Sequence, residues 1–188
     1  MQRCSWVSTD LLYQTYHDRE WGVTQTANAA LFEMLCLEGQ QAGLSWITVL
    51  KKRENYRAAF YQFDPQAVAR MNEAEIDILM QNSGLIRHRA KLNAIVTNAR
   101  AYLTMQEAGE DFSRFVWSFV GGQPQINHFA DLQAVPAQTP VSLALSKALK
   151  QRGFKFVGST ICYSFMQACG LVNDHITTCF CHPDNKPC

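Results

Sequence analysis

The sequence predicts an all-α fold, and three observations carry that expectation. Apolar residues recur at three- and four-residue spacing along most of the chain, the period of one helix face. Cap-forming residues precede these stretches and glycines close them. No convincing period-two alternation appears, so no strand series is expected. At 188 residues, 47% of them apolar, the chain can bury a sizeable core and is read as a single domain, residues 1–188.

The elements follow in order. TANAALFEMLCLE (26–38) places Leu31, Met34, Leu35 and Glu38 on one stripe. LSWITVLKKRENYRAAF (44–60) follows Gly43, with Ser45 as N-cap, and reads as one helix. DPQAVARM opens on Asp64 as cap, with Pro65 at the first helical position, where a missing N–H costs nothing. NEAEIDILM has Asn72 as cap and Glu75 three residues on, a capping-box spacing. HRAKLNAIVTNARAYLTMQEAG (88–109) is the longest periodic stretch. Leu92, Ile95, Val96, Ala99, Tyr102 and Leu103 share its face, and Gly109 ends it. DFSRFVWSFVGG (111–122), SLALSKALKQRG (142–153) and STICYSFMQACG (159–170) complete the set, each closing on glycine. Segment 121–140 holds three of the six prolines and is read as an irregular surface connection.

No run reaches the roughly 18–20 uncharged apolar residues of a membrane span, and MQRCSWVSTD lacks the apolar core of a signal peptide. A cytoplasmic protein with no membrane partner is expected. Seven cysteines, an odd number, then stand as thiols, ligands or buried apolar residues. With a formal net charge of +1, nucleic acid binding would have to come from local clusters and helix N-termini.

NDHITTC (173–179) sets His175 and Cys179 four residues apart. On a helix this spacing puts both on one face, where they can grip one ion. Zinc takes about four ligands, commonly thiolates and imidazoles. Cys4 and His17 are the matching pair at the other end of the chain. Together they make a closed Cys2His2 set for one structural Zn2+, tying the N-terminal segment to the C-terminal one. Such a link closes nearly the longest loop available and holds ends that otherwise fray. Spacing alone leaves the alternative open, with Cys4 and Cys179 as ordinary thiols and His17 as a surface histidine. Cys181 and His182 compete as ligands, whereas Cys36, Cys162 and Cys169 fall in apolar stripes where buried thiols belong.

QNSGLIRHRAKL (81–92) joins two helical stretches through Gly84, Leu85 and Ile86, then starts a basic helix with Arg87, His88, Arg89 and Lys91. A glycine turn presenting N–H groups at a helix start is a seat for phosphate, and the flanking cations add the electrostatic term. The plainer alternative is a helical corner with a solvated charged face. A second cluster (Lys147, Lys150, Arg152, Lys155) around Gly153 equally suits an ordinary helix C-terminus.

WVSTDLLYQTYHDREWG (6–22) gathers Trp6, Tyr13, Tyr16 and Trp21, and CLEGQQAGLSW (36–46) adds Glu38 and Trp46 around a glycine-bounded loop. Glu38 is out of place. It falls on an apolar stripe near a helix C-terminus, where the dipole disfavours an anion. A carboxylate there points either to a cationic or hydrogen-bonding ligand, or to capping of the loop N–H groups. Trp21 is assigned to core packing.

RCSWV…YHDREWG, LFEMLCLEGQQAGLSWITVLKKRENYR, SGLIRHRAKL, GFKFVGSTICYSFMQACGLVNDH and the terminal His/Cys pair together resemble the bacterial constitutive 3-methyladenine DNA glycosylases, over nearly the whole chain. The resemblance implies an all-α helix-hairpin-helix repair enzyme with one structural zinc, held by Cys4, His17, His175 and Cys179. It implies a base pocket of Tyr16, Glu38 and Trp46, enclosed by Trp6 and Tyr13, with Glu38 acting as an anion. It maps the DNA-gripping hairpin onto Gly84, Leu85, Ile86, Arg87 and Arg89. The activity implied is monofunctional: a monomer flips an alkylated base out of double-stranded DNA and releases free 3-methyladenine, with 3-methylguanine a further candidate. Departures from the family are expected in 121–140 and the tail CFCHPDNKPC, touching only peripheral contacts. Two rivals remain at this level. A non-catalytic DNA-binding module predicts that Glu38 and the aromatics do not share a cavity. A zinc hydrolase needs an open ligand position, which Cys2His2 lacks.

Overall fold

The computed structural model describes residues 2–185, so the last three residues of the tail lie outside the described part. The helices are α1 Leu11–Arg19, α2 Asn28–Gln41, α3 Trp46–Leu50, α4 Arg53–Ala59, α5 Pro65–Ala69, α6 Glu73–Leu79, α7 Arg89–Glu107, α8 Phe112–Ser118, α9 Pro140–Gln151 and α10 Ser159–Ala168. The expected caps form. Asp64 accepts from Gln66 N–H ahead of Pro65, and Asn72 with Glu75 closes a reciprocal capping box. α1 was not foreseen as an element; Asp10 caps it through Leu12 and Tyr13 N–H.

Four expectations need correction. Segment 44–60 is two helices, α3 and α4, and Ser45 makes no cap bond to the backbone. The break lets three consecutive cations reach three partners: Lys51 meets Asp10, Lys52 the Ser83 carbonyl and Arg53 Glu20. α9 starts earlier than expected, at Pro140, because Thr139 and Ser142 form a capping box. Strands do exist. β1 Gln125–Ile126 pairs in parallel with β2 Val172–Asn173, but two residues each are too few to show alternation in sequence. His175 and Cys179 lie in turns beyond β2, not on a helix.

α2 lies at the centre, against α3, α7, α8 and α10, while α5 packs on α7 and α9 on α10. Leu31, Phe32, Leu35 and Leu37 of α2 are fully buried, as are Leu92, Ile95 and Ala99 of α7. Apolar burial on this scale, worth about 1.5–3 kcal/mol per large side chain, fixes where the C-terminal end of α2 points. A smaller buried cluster of Cys4, Ile176, Cys179 and Cys181 sits apart from the main core, beside Trp6, Trp21 and Phe180.

Candidate active site

A cavity of about 170 Å³ opens where α1, α2, α3 and α10 converge. Helical spacing supplies its wall in pairs three residues apart: Tyr13 and Tyr16 from α1, Glu38 and Gln41 from α2, Ser164 and Gln167 from α10. Trp46 opens α3. Trp6, Trp21 and Asp174 come from flanking segments, and Leu132 and Val135 from the α8–α9 connection. The rings form a cage. Trp6 lies 5.0 Å from Tyr13 and 5.1 Å from Trp21, and Tyr16 lies 5.5 Å from Trp46, all tilted or edge-on.

Two polar atoms in this cage stand out. Glu38 Oε2 and Trp46 Nε1 are buried and have no hydrogen-bond partner. An orphaned buried donor or acceptor costs about 1–3 kcal/mol, so the fold holds an acceptor and a donor in reserve in one wall. Glu38 therefore does not cap the GQQAG loop. Burial pushes its carboxyl up to about 8, which favours the protonated form until a cationic partner lies beside it. Tyr16 is also held far above its ordinary range, by burial first and by Glu38 second, and so keeps its proton. Asp174, by contrast, is satisfied: Tyr163 Oη donates to it at 2.6 Å, Gln167 Nε2 at 2.8 Å and Asn127 Nδ2 at 2.7 Å.

Behind the cage, Cys4, His17, His175 and Cys179, all buried, bring their ligand atoms within 4.8 Å of one another. Cys4 Sγ lies 3.6 Å from His175 Nδ1, and Cys179 Sγ lies 3.4 Å from His17 Nε2 and 3.5 Å from His175 Nδ1. A tetrahedron with zinc–sulfur bonds of about 2.3 Å and zinc–nitrogen bonds of about 2.05 Å has sulfur–nitrogen edges of about 3.6 Å, so the residues fit the ion. The opposite ring nitrogens are also placed for it: His17 Nδ1 lies 2.8 Å from Asp18 Oδ1, and His175 Nε2 lies 3.1 Å from the Trp21 carbonyl. Those bonds fix tautomers that turn the remaining lone pairs inward. Arg3 holds Asp18 with two bonds of 2.8 Å. His182 is not in this set.

The α6–α7 hairpin is more self-contained than a phosphate seat requires. Gly84 N–H donates to Asn82 Oδ1 at 2.8 Å, Leu85 N–H to the Asn82 carbonyl at 3.1 Å and Ile86 N–H to Tyr56 Oη at 3.2 Å. Leu85 is buried and pins the turn to the core. Lys91 is buried as well; its ammonium caps α2 through the Gln40 and Ala42 carbonyls. Arg89 is paired with Glu73 and Asp77. Arg87 is exposed, and among the described residues it makes no ion pair. Tyr56 donates on to Gln40, so one chain of hydrogen bonds links the turn to the end of α2 that carries Glu38.

Residues 6–182 match the family described as "Methyladenine glycosylase". The chain belongs to that family. Among the family's curated proteins, Escherichia coli (strain K12) DNA-3-methyladenine glycosylase 1 is 65% identical over 100% of both chains. A crystal structure of 3-methyladenine DNA glycosylase I superposes at a TM-score of 0.96 with 69% identity, covering 97% of this chain and 100% of that one. A Y16F variant of 3-methyladenine DNA glycosylase I, solved in complex with 3-methyladenine, superposes at 0.93 with 42% identity over 97% and 98% of the two chains.

Within this methyladenine glycosylase fold, the five residues assigned to the pocket from sequence do line one cavity, which the non-catalytic rival did not predict. Sequence reasoning missed Trp21, Gln41, Ser164, Gln167, Asp174, Leu132 and Val135. The i, i+3 spacing from Glu38 was the available signal for Gln41. Leu132 and Val135 carried none, and the 121–140 connection is not merely peripheral.

Proposed function

We infer that this chain is a monofunctional DNA glycosylase that hydrolyses the N-glycosidic bond of 3-methyladenine in alkylated duplex DNA, opening base excision repair. One observation carries the reading: an unpartnered carboxyl and an unpartnered indole N–H share a buried aromatic cage. The names of its relatives, and the 3-methyladenine bound in a solved one, support it.

A methyl on N3 makes the base in DNA a cation. Extruding it from the stack costs a few kcal/mol, least for a damaged pair. The cage then favours the cation: a desolvated cation–π contact is worth about 2 kcal/mol or more, with no matching gain for neutral adenine. A positive ring beside Glu38 drives its proton off, so the anion forms when the charge it opposes arrives. Trp46 N–H is left to donate to the base edge. Water attacks the sugar carbon as the carbon–nitrogen bond breaks, and the bonding pair returns to the ring, neutralising it. The leaving base is thus uncharged and the water proton passes to solvent. Contacts equally good to substrate and transition state would not speed this step, so the cage selects more than it accelerates.

The four-residue Cys/His cluster would hold a structural Zn2+, with no open position for substrate. The hairpin would hold the DNA backbone through Arg87 and the positive end of α7. Among the described residues, Cys4, Cys36, Cys162, Cys169 and Cys179 are in no disulfide, in keeping with a reducing compartment such as the cytoplasm.

The test is release of 3-methyladenine from methylated duplex DNA by wild type, Glu38→Gln and Trp46→Phe. Trp46→Phe keeps an aromatic face but removes the N–H and part of the ring, so a loss of at least about tenfold is expected, the share of one hydrogen bond of about 1.5 kcal/mol. Glu38→Gln is expected to lose more, and to lose preference for the alkylated base over adenine. No release by wild type, or equal release by all three, would remove the reading.

A further inference from the structure

The sequence left His182 as a rival ligand for the Cys2His2 set, and the fold gives it other company. Its side chain, 1% exposed, gathers with His128 and Asp184, one ligand atom of each lying within 4.8 Å of the others. His128 belongs to the connection between α8 and α9; His182 and Asp184 belong to the C-terminal turn. We propose that His128, His182 and Asp184 form a second divalent transition-metal site, of nitrogen and oxygen donors, that pins this connection to the C-terminal turn.

Three features carry the assignment. The first is spacing. His128 Nε2 lies 3.1 Å and His182 Nδ1 3.7 Å from Asp184 Oδ2. An ion about 2.0–2.2 Å from each donor holds neighbouring donors about 3.0–3.4 Å apart; the first distance falls within that range and the second lies just beyond it. The second is orientation. His182 Nε2 lies 3.2 Å from the Asn127 carbonyl, which fixes the tautomer and turns the Nδ1 lone pair toward Asp184. That lone pair accepts the Asp184 N–H at 3.3 Å, a hydrogen bond that an ion would have to displace. The third is that an ion pair alone does not explain the cluster. His128 and Asp184 are 60% and 64% exposed, where such pairs contribute little, and 3.7 Å is beyond a hydrogen bond for His182.

Two imidazoles and a carboxylate suit Zn2+, Co2+, Ni2+ or Cu2+ better than Mg2+ or Ca2+. With three protein donors and the rest of the sphere left to solvent, this site binds more weakly than a closed thiolate set. Its place gives it a use. Asn127, whose carbonyl orients His182, donates its amide to Asp174 of the pocket, and the same connection supplies Leu132 and Val135. An ion here would stiffen one wall of the cavity.

The test titrates the protein as purified with Co2+, reading absorption, bound metal and melting temperature. One further equivalent per chain is expected, with weak visible bands, no thiolate-to-metal charge-transfer band, and a raised melting temperature. His128→Ala and Asp184→Asn, made separately at exposed positions, should each weaken that equivalent at least tenfold and cancel the rise in melting temperature. Zinc content and base release should stay at wild-type level in both. The assignment is overturned if wild type takes up no further equivalent, if that equivalent shows the charge-transfer band, or if both variants bind it as wild type does.

Discussion

At the scale of single residues, Glu38 sets the terms. Its carboxyl stands at about 8 in the fold against an ordinary 4.5. A carboxyl raised in this way costs the fold nothing below about pH 4.5. Its penalty grows as the pH climbs and is complete above about 8, since the unfolded chain ionises freely over that window while the folded one does not. Each pH unit is worth about 1.4 kcal/mol, so over the roughly 2.5 units between 4.5 and pH 7 the burden is on the order of 3 kcal/mol. Glu38→Gln should therefore stabilise the protein at pH 7, by about 6–12 °C in melting temperature at roughly 2–4 °C per kcal/mol. The gain should shrink toward zero near pH 5. Melting curves of both proteins across pH 5–8 decide it, and a pH-independent difference would show that the carboxyl is not buried as described. This cost was half legible in the sequence, where an acidic residue on an apolar stripe is conspicuous. That it would be protonated was not legible, because the partners that set its charge come from α1, α3 and α10. Trp21 packs against the core as expected and lines the cavity as well; a tryptophan in either place has the same local pattern.

At the scale of elements, the joints matter more than the helices. Gly170 closes α10 with φ +70°, and a Cβ there would lie 2.6 Å from Val23 C and Thr24 N. Gly22 N–H donates to the Gln167 carbonyl and Gln25 N–H to the Cys169 carbonyl across this seam, so the backbone cannot simply retreat. Gly170→Ala is expected to cost at least about 2 kcal/mol, combining left-handed strain with overpacking, and thermal melting will register it. The hairpin predicts a contrast. Arg87→Ala should weaken DNA binding across sequences and flatten the salt dependence by about one phosphate contact, near 0.9 in slope. Arg89→Ala should change that slope less, because Glu73 and Asp77 already engage its guanidinium. Equal slopes for the two variants would contradict the division of roles. Capped helices were the most legible part of the fold, since Asp64, Asn72 and Glu75 act within one turn of chain. Less legible was the break between α3 and α4, which is set by Asp10, Glu20 and Ser83 far off in sequence. The fate of Lys91 was hidden in the same way, by carbonyls on α2.

At the scale of the molecule, the two ends of the chain meet behind the pocket. Cys4 and His17 come from one end and His175 and Cys179 from the other, and the rings that touch this cluster are shared with the cavity. Trp6 lies 5.3 Å from His17, and Trp21 lies 4.7 Å from His175. That these four residues could gather was legible in sequence, though for a wrong local reason: the i, i+4 pair converges outside any helix. A metal here would act as a cross-link over nearly the whole chain, and its binding free energy would add directly to folding. Cys179→Ser should then lower the melting temperature by about 10 °C or more, the equivalent of roughly 3 kcal/mol or above, and should lower bound zinc. Because no ligand position faces the cavity, single-turnover base release per folded molecule at low temperature should fall far less than stability does. Chelation of the wild-type protein should reproduce the melting shift and leave the variant little changed. A variant that keeps both wild-type melting and wild-type metal content would show that these four residues do not hold the ion. One that melts normally but releases no base would place the cluster in the chemistry instead of the scaffold.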